Sequence, residues 1–245
     1  MRILAFQHVA VEHPGIFREL WSQSGHSLEQ IELDEGDRIP DLSPYDLLVV
    51  MGGPMDVWQE DIHPWLVPEK AAIRRWVAEL RRPYLGICLG HQLLAEGLGG
   101  KVTMMSRPEV GIAEVELTEI GRQDAILARF DRRFDTFQWH GAEVSRLPQD
   151  AVVLASNGAC AVQAMRWGPH AYGFQYHCEI VSTTVDDWER IPAYKASLIQ
   201  ALGEDEAGRL GGVVARRLPD FRRSAELLNQ NLFAAMKDMV AIIHK

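Results

Sequence analysis

Cysteine, histidine and glutamate side chains occur in two short motifs whose spacing suits nucleophilic catalysis. The first motif is residues 86–92, GICLGHQ, in which Cys88 has a glycine two positions before it and another two positions after it. The second motif is residues 173–179, GFQYHCE, in which one residue separates His177 from Glu179. A nucleophilic thiol needs a base to take its proton, and the base needs a group that orients it. These three side chains are therefore the candidate nucleophile, base and orienting acid.

The segment around Cys88 predicts a tight strand-to-helix turn. Residues 84–87 have the pattern of a short buried strand, and residues 89–98 begin a helix that the glycine pair 99–100 ends. A residue on such a turn is strained and projects above the sheet edge, and flanking glycines leave room for the backbone. The N-terminus of the helix favours the reactive thiolate, and the amide of Leu89 is placed to donate to an oxyanion. A buried structural cysteine is the alternative interpretation.

The proposed base lies at the end of a strand-like segment. Positions i and i+2 of a strand face the same way, so His177 and Glu179 are expected to project together at the carboxyl edge of the sheet. There the imidazole can take the thiol proton while the carboxylate holds its tautomer. His140 is the competing base, and it ranks lower because Ala142, two positions on, cannot orient a ring.

A glycine pair provides a candidate for the second oxyanion donor. Residues 46–51 form an apolar run typical of a central parallel strand, and Gly52-Gly53-Pro54 follows it directly. Such a pair can turn the main-chain N–H of Gly53 toward the space above Cys88. A plain turn is the alternative that the same residues would mark.

Strand-like and helix-like segments alternate through the first half of the chain. This order predicts an α/β fold with an open, mostly parallel central sheet and helices on both faces. Short strand patterns follow at residues 101–105, 111–118, 136–139, 151–155, 161–167 and 171–176. Helix patterns return over 182–245, where a last helix at about 219–243 has apolar residues every three or four positions. We expect a single domain over residues 1–245, with a core at about 1–180 and a helical C-terminal extension at 182–245.

The composition of the chain indicates which classes of binding partner to expect. The chain has 245 residues, with 34 acidic against 25 basic side chains, and its formal charge is −9. A surface with this balance repels phosphate backbones and anionic lipid, so neither nucleic acid nor a membrane is expected as a partner. No stretch is apolar for long enough to span a bilayer, and the first residues lack the pattern of a secretory signal. Three widely spaced cysteines fit a reducing compartment, so we expect a cytoplasmic protein.

Together, these motifs resemble the class I (triad) glutamine amidotransferase family. Gly52-Gly53-Pro54 resembles its oxyanion motif, residues 86–92 its nucleophile motif, and residues 174–179 its His-Pro-Glu motif except that Cys178 replaces the proline. The resemblance covers about residues 1–180 and implies a flavodoxin-like fold. It is strongest to stand-alone proteins related to the glutaminase domain of GMP synthase, as the segments 61–66 and 139–141 support.

The resemblance also implies an activity and a substrate site. Cys88 would attack the side-chain amide of glutamine, form a γ-glutamyl thioester, and release ammonia and then glutamate. Gln92 and the main chain around Trp139 and His140 would help to hold the glutamine. The residues after Glu179 are too few for a synthase domain, so we expect any ammonia acceptor to be a separate protein.

Three alternatives remain open. The same triad would serve a hydrolase of other γ-glutamyl amides or peptides, because the scissile bond is the same γ-amide. In the second alternative, the fold is retained as a binding or regulatory partner without catalytic activity. The intact set of Cys88, His177 and Glu179 argues against this alternative. A zinc site formed by His177, Glu179 and a thiol is a third. No Cys-x-x-Cys or His-x-x-x-His pattern supplies further ligands, and we expect neither a metal nor a cofactor.

Overall fold

The chain folds as a sheet with helices on its faces. In this computed structural model the backbone is described for residues 1–243 and the side chains for residues 1–237. The strands are β1 (Arg2–Gln7), β2 (Ser27–Glu32), β3 (Leu47–Val50), β4 (Tyr84–Ile87), β5 (Lys101–Leu117), β6 (Arg133–Arg146), β7 (Ala151–Ser156), β8 (Ala164–Trp167) and β9 (Ala171–Phe174). The helices are α1 (Ile16–Gln23), α2 (Leu66–Arg74), α3 (Leu89–Gly97), α4 (Glu119–Gln123), α5 (Thr184–Trp188), α6 (Pro192–Leu202), α7 (Glu204–Ala207) and α8 (Leu210–Ile243).

The sheet has a parallel half and an antiparallel half. Over the described residues its nine strands run in the order β2-β1-β3-β4-β9-β8-β7-β5-β6. The strands from β2 to β9 in this order pair in parallel, and those from β9 to β6 pair in antiparallel. The predicted α/β class is confirmed. The antiparallel share is larger than the sequence indicated, because the later strands extend the same sheet beyond β9.

The register of β4 against β9 brings the two motifs together. Gly86 of β4 is opposite Gly173 of β9, and Ile87 is opposite Phe174. The chain then leaves both strands at the same edge, and the amide of Cys88 donates to the carbonyl of Phe174 at 2.8 Å. Two segments that are far apart in sequence therefore meet at the carboxyl end of the parallel strands, as open α/β sheets arrange their sites.

Three of the predicted strand segments need correction. The segments 101–105 and 111–118 belong to one long strand, β5, whose pairing with β6 is irregular between Met104 and Glu109. The irregularity explains the interrupted sequence pattern, because a bulge shifts which side chains face the core. The strand predicted at 171–176 ends at Phe174, so His177 lies beyond it and makes only an isolated bridge to Phe137.

The last helix begins earlier than its sequence pattern indicates. α8 starts at Leu210 rather than near 219, and it contains Pro219. Proline removes one helical hydrogen bond, but α8 is held by burial of an apolar stripe that includes Leu228 and Leu232 in the core around β1 and β3. The part of the predicted stripe from residue 238 onward lies outside the described side chains. Although α8 has 34 residues, no helix in the described chain is apolar enough to cross a bilayer.

The turn after β4 is packed too closely for side chains at its glycines. A Cβ atom on Gly86 would lie 2.5 Å from the carbonyl oxygen of Gly90, and a Cβ atom on Gly90 would overlap the carbonyl of Val50. The amide of Gly90 also donates to the carbonyl of Met51 at 3.1 Å. The start of α3 is therefore pressed directly against the end of β3.

We expect Gly90→Ala to destabilise the protein by about 3 kcal/mol, because the added methyl group meets backbone atoms that cannot move aside. Chemical denaturation followed by circular dichroism measures this loss. Gly158→Ala is the matched control, since a Cβ atom there meets no heavy atom within 4 Å. Equal stability of the two variants would contradict the packing described for the turn.

Candidate active site

Cys88 occupies a strained position at the start of α3. Its backbone has φ 51° and ψ −104°, in a region that residues other than glycine rarely adopt. The helix begins at the next residue, Leu89. The predicted tight strand-to-helix turn is confirmed. Cys88 is 5% exposed and lines a pocket.

His177 and Glu179 form a buried hydrogen-bonded pair next to this turn. Nδ1 of His177 lies 2.8 Å from Oε1 of Glu179, and the His177 amide donates to the carbonyl of Phe137 at 2.8 Å. The ring of Trp188 packs edge-on against the imidazole, with 4.5 Å between centroids. Nε2 of His177 has no hydrogen-bond partner among the described residues. With Nδ1 committed to the carboxylate, Nε2 is the ring atom available to accept a proton.

The thiol of Cys88 lies among polar groups of the neighbouring strands. Its Sγ is 3.9 Å from the carbonyl oxygen of Trp139 and 3.7 Å from Nε2 of Gln175. The thiol and the imidazole of His177 are close enough for each to shift the pKa of the other. The structure therefore brings the sequence-predicted nucleophile, base and acid into one cluster.

The titration of the cluster is set by burial and by Glu179. Burial raises the pKa of the Cys88 thiol, and this outweighs the lowering by the His177 charge. The sequence argument that the helix N-terminus favours the thiolate did not include this cost of burying the charge. Burial lowers the pKa of His177, but the carboxylate of Glu179 and the nearby Cys88 raise it well above its usual value. A proton that leaves the thiol is thus stabilised on the imidazole.

The pocket above the sulfur has a volume of about 130 Å³. The residues that line it are Gly53, Pro54, Met55, Cys88, Gln92, Trp139, His140, Gly141, Ala193, Tyr194 and Ser197. Gly53 contacts the first residue of α3, since a Cβ atom on it would lie 3.0 Å from Cδ2 of Leu89. The two residues predicted as oxyanion donors are therefore neighbours, and Gly53 lines the pocket.

The side chains predicted to bind substrate are themselves held by the protein. Nε2 of Gln92 donates to the carbonyl of Ala142 and to Oε1 of Gln175, both at 3.1 Å. His140 uses both ring nitrogens, with Nδ1 3.0 Å from the carbonyl of Ala142 and Nε2 3.1 Å from Oε2 of Glu109. The sequence argument that Ala142 cannot orient this ring was wrong, because the main-chain carbonyl does so. Both nitrogens are engaged, and neither is available to take the Cys88 proton.

Sequence reasoning missed the outer wall of the pocket and one buried acid. The wall is α6, which contributes Ala193, Tyr194 and Ser197, and Nε1 of Trp139 donates to Oγ of Ser197 at 3.0 Å. The acid is Glu12, which is 1% exposed and accepts a hydrogen bond from the Tyr194 hydroxyl. These residues stand in no local motif, so no signal in the sequence marks them.

Glu12, His177 and Glu179 also have the spacing of a metal site. One potential ligand atom from each lies within 4.8 Å of the others, whereas Cys88 is not part of the set. The hydrogen bonds already assigned to Glu12 and Glu179 use one oxygen of each carboxylate. Among the described residues, Oε2 of Glu12, Oε2 of Glu179 and Nε2 of His177 have no hydrogen-bond partner, and the thiol that the zinc alternative included is not part of this set.

Comparison with known proteins agrees with this geometry. The family model described as glutamine amidotransferase class-I matches residues 16–188, so the chain belongs to this family. The glutamine amidotransferase-like protein YfeJ of Salmonella typhimurium is 29% identical over 189 residues, which are 76% of this chain and 79% of that protein. A subunit of the glutamine-hydrolysing GMP synthase of Saccharolobus solfataricus is 33% identical over 146 residues, 59% of this chain and 73% of that protein.

Solved structures share the whole fold. A glutamine amidotransferase from Thermotoga maritima superposes with a TM-score of 0.83 at 28% identity, covering 95% of this chain and 98% of that one. A glutamine amidotransferase from Methylobacillus flagellatus superposes with a TM-score of 0.85 at 26% identity, covering 96% and 94%. The similarity therefore extends through the C-terminal helices, beyond the segment that the family model matches.

Alkylation of Cys88 with iodoacetamide can show whether His177 or His140 is the partner of the thiol. We expect His177→Gln to raise the pH of half-maximal alkylation by about 1–3 units, because the variant removes the positive charge that opposes the effect of burial on the thiolate. His140→Gln should leave this pH unchanged. Mass spectrometry of the Cys88 peptide across a pH series measures the rate. A larger shift in His140→Gln than in His177→Gln would identify His140 as the partner of the thiol.

Proposed function

We propose that this class-I glutamine amidotransferase hydrolyses the side-chain amide of glutamine with Cys88 as nucleophile, His177 as base and Glu179 as orienting acid. One observation carries the proposal. The imidazole of His177 is tied to Glu179 through Nδ1, while its Nε2 is unpartnered in the described chain and the strained Cys88 lies in the same cluster.

The first half of the reaction forms an acyl-enzyme. The proton of Cys88 moves to Nε2 of His177, and the sulfur attacks the amide carbon of the substrate. The amides of Gly53 and Leu89 stabilise the oxyanion. His177 then gives its proton to the leaving nitrogen, the C–N bond breaks, and ammonia leaves behind a γ-glutamyl thioester on Cys88.

The second half returns the enzyme to its starting state. Neutral His177 takes a proton from water, and the resulting hydroxide attacks the thioester carbon. The C–S bond breaks, glutamate leaves, and the proton on the imidazole returns to the sulfur of Cys88. The hydrogen bond from Nδ1 to Glu179 stabilises the charged imidazole in both halves, so the carboxylate does not itself need to change protonation.

The pocket holds the substrate between two sides. Gln92 and the main chain at Trp139 and His140 form the inner side, and α6 with Tyr194 forms the outer side. These groups present mainly uncharged polar and aromatic surface, which suits an amide side chain. We infer that residues 1–245 act as one domain, because α6 completes a site whose other walls come from the core.

The ammonia is proposed to pass to a separate synthase protein. The similarity to one subunit of a glutamine-hydrolysing GMP synthase supports an acceptor carried on another chain. Hydrolysis by this mechanism uses no cofactor. The free thiols of Cys88, Cys160 and Cys178 fit the reducing environment of the cytoplasm, where we place the enzyme.

Cys88→Ala should abolish glutamate release from glutamine, and His177→Ala should lower it by several orders of magnitude. Glu179→Gln should lower glutamate release by less than His177→Ala does, because it removes the orienting charge but leaves the base. Steady-state glutamate formation by the purified chain measures all three. Cys160→Ala is the control, since that cysteine is also buried but lies outside the cluster. Retention of more than a few per cent of activity in Cys88→Ala would disprove the mechanism.

The pocket size predicts a preference among γ-glutamyl amides. Its volume of about 130 Å³ is well below the roughly 300–1,000 Å³ of pockets for drug-sized ligands. We expect kcat/KM for glutamine to exceed that for N-substituted γ-glutamyl amides by at least about tenfold, or about 1.4 kcal/mol. Ammonia and amine release are measured in parallel over a panel of such amides. Faster amine release from γ-glutamyl peptides would instead indicate a γ-glutamyl hydrolase.

A further inference from the structure

Glu12 is a buried carboxylate in the loop between β1 and α1, and the mechanism described above does not use it. One of its oxygens, Oε1, accepts a hydrogen bond from the hydroxyl of Tyr194. The other, Oε2, has no hydrogen-bond partner in the described part of the chain. One oxygen of Glu12 lies within 4.8 Å of ligand atoms of both His177 and Glu179. The imidazole of His177 therefore has two carboxylates beside it.

The loop that carries Glu12 is attached to both sides of the site. Nδ1 of His8 lies 2.8 Å from the carbonyl oxygen of Gly52, next to the proposed oxyanion donor. At the other end of the loop, the amide of Ile16 donates to the main-chain carbonyl of Glu179 at 2.9 Å. Glu12 itself lies against Gly52, where an added Cβ atom would be 2.5 Å from Oε2. The loop thus holds Glu12 in place relative to the oxyanion turn and the triad acid.

Two imidazoles lie near enough to Glu12 to compensate its charge. The titratable groups that face it in the described chain are His8, Cys88, His177, Glu179 and Tyr194. Burial of a carboxylate with an unpartnered oxygen is unfavourable unless a positive charge lies nearby. Both His177 and His8 favour the charged form of Glu12, and His177 does so more strongly. The imidazolium of His177 is therefore the cation that interacts most strongly with a charged Glu12.

We propose that Glu12 is a positioning residue for His177, a second carboxylate that stabilises the imidazolium formed when Cys88 loses its proton. The inference rests on the proposed function of the triad. Through the Tyr194 hydroxyl, Glu12 also connects the base to α6, the helix that forms the outer wall of the pocket. The position of that wall and the charge of the imidazole are thus linked by one hydrogen bond.

The ionisation of Glu12 falls in the range where this role matters. The pKa of the Glu12 carboxyl is raised to about 7, mainly by burial. The charge of Glu179 raises this pKa further, whereas the charge of His177 lowers it. The Tyr194 hydrogen bond also favours the charged form of Glu12. A charged Glu12 raises the proton affinity of the Cys88–His177 pair, so loss of this charge moves proton release from the pair to lower pH.

The test measures two pH profiles, that of Cys88 alkylation by iodoacetamide and that of kcat/KM for glutamine. In Glu12→Gln we expect the acidic limb of both profiles to move down by about one pH unit. We also expect kcat to fall about tenfold while KM stays nearly unchanged, because the stabilisation acts on charge formed during the reaction. Tyr194→Phe should move the acidic limb of both profiles in the same direction but by less. This variant removes a hydrogen-bond donor that favours ionised Glu12, but it leaves the Glu12 carboxyl in place.

Asp124→Asn is the matched control. Asp124 is also a buried carboxylate with hydrogen bonds, to Arg166 and the amide of Ile126, but it lies outside the site. We expect this variant to lower thermal stability without moving either pH profile. An unchanged acidic limb in Glu12→Gln, with folding intact by circular dichroism, would assign Glu12 a purely structural role and overturn the inference. If Glu12→Gln does not fold, the Tyr194→Phe shift decides alone, and a limb that stays in place or moves up would overturn it.

The two profiles separate this inference from the function on which it rests. Wild-type protein that is alkylated at Cys88 but does not hydrolyse glutamine would contradict the proposed substrate. In that case the alkylation profile would still report whether Glu12 acts on the Cys88–His177 pair. Turnover of glutamine with no difference between the wild type and Glu12→Gln would leave the proposed function in place and remove Glu12 from it.

Discussion

The hydrogen bond between Nδ1 of His177 and Oε1 of Glu179 is the interaction on which the site depends. Burial acts against charge on Cys88 and on His177, and without the carboxylate it would keep the imidazole neutral and a poor proton acceptor. The carboxylate reverses that effect at His177, and it also fixes which ring nitrogen points away from it. The backbone holds the acid in turn, since the carbonyl of Glu179 accepts from the amide of Ile16. A single pair thus decides both the charge and the orientation of the proposed base.

That pair is useful only because the sheet brings it to Cys88. Because β4 and β9 pair in parallel, both strands end at the same edge of the sheet. The hydrogen bond from the Cys88 amide to the Phe174 carbonyl fixes the position of Cys88 relative to the end of β9. The strain at Cys88 is maintained by the close contact of Gly90 with β3, which leaves the chain no wider turn to adopt. Backbone packing, rather than side-chain hydrogen bonding, therefore sets the position of the proposed nucleophile.

The C-terminal helices do more than cover a sheet face. Trp188, which ends α5, packs against the imidazole of His177, and α6 forms the outer wall of the pocket and reaches Glu12 through Tyr194. α8 inserts Leu228 and Leu232 into the same core as the first strands. Because these helices contact the base and the pocket, the environment of the triad depends on residues outside the motifs that mark it.

The sequence alone predicts the local structure around Cys88 and the pairing of His177 with Glu179. Glycines around Cys88 predict the strained turn, because only residues without side chains fit there, and the spacing of His177 and Glu179 predicts a pair that acts together. The alternation of strands and helices predicts the α/β class. Tertiary structure alone decided the rest. Glu12 and Tyr194, far apart in sequence, are joined by a hydrogen bond. The orientation of His140 comes from the main chain of Ala142, and burial raises the pKa of the Cys88 thiol. Burial and long-range contact depend on how all the elements pack together, and no short stretch of residues carries that information.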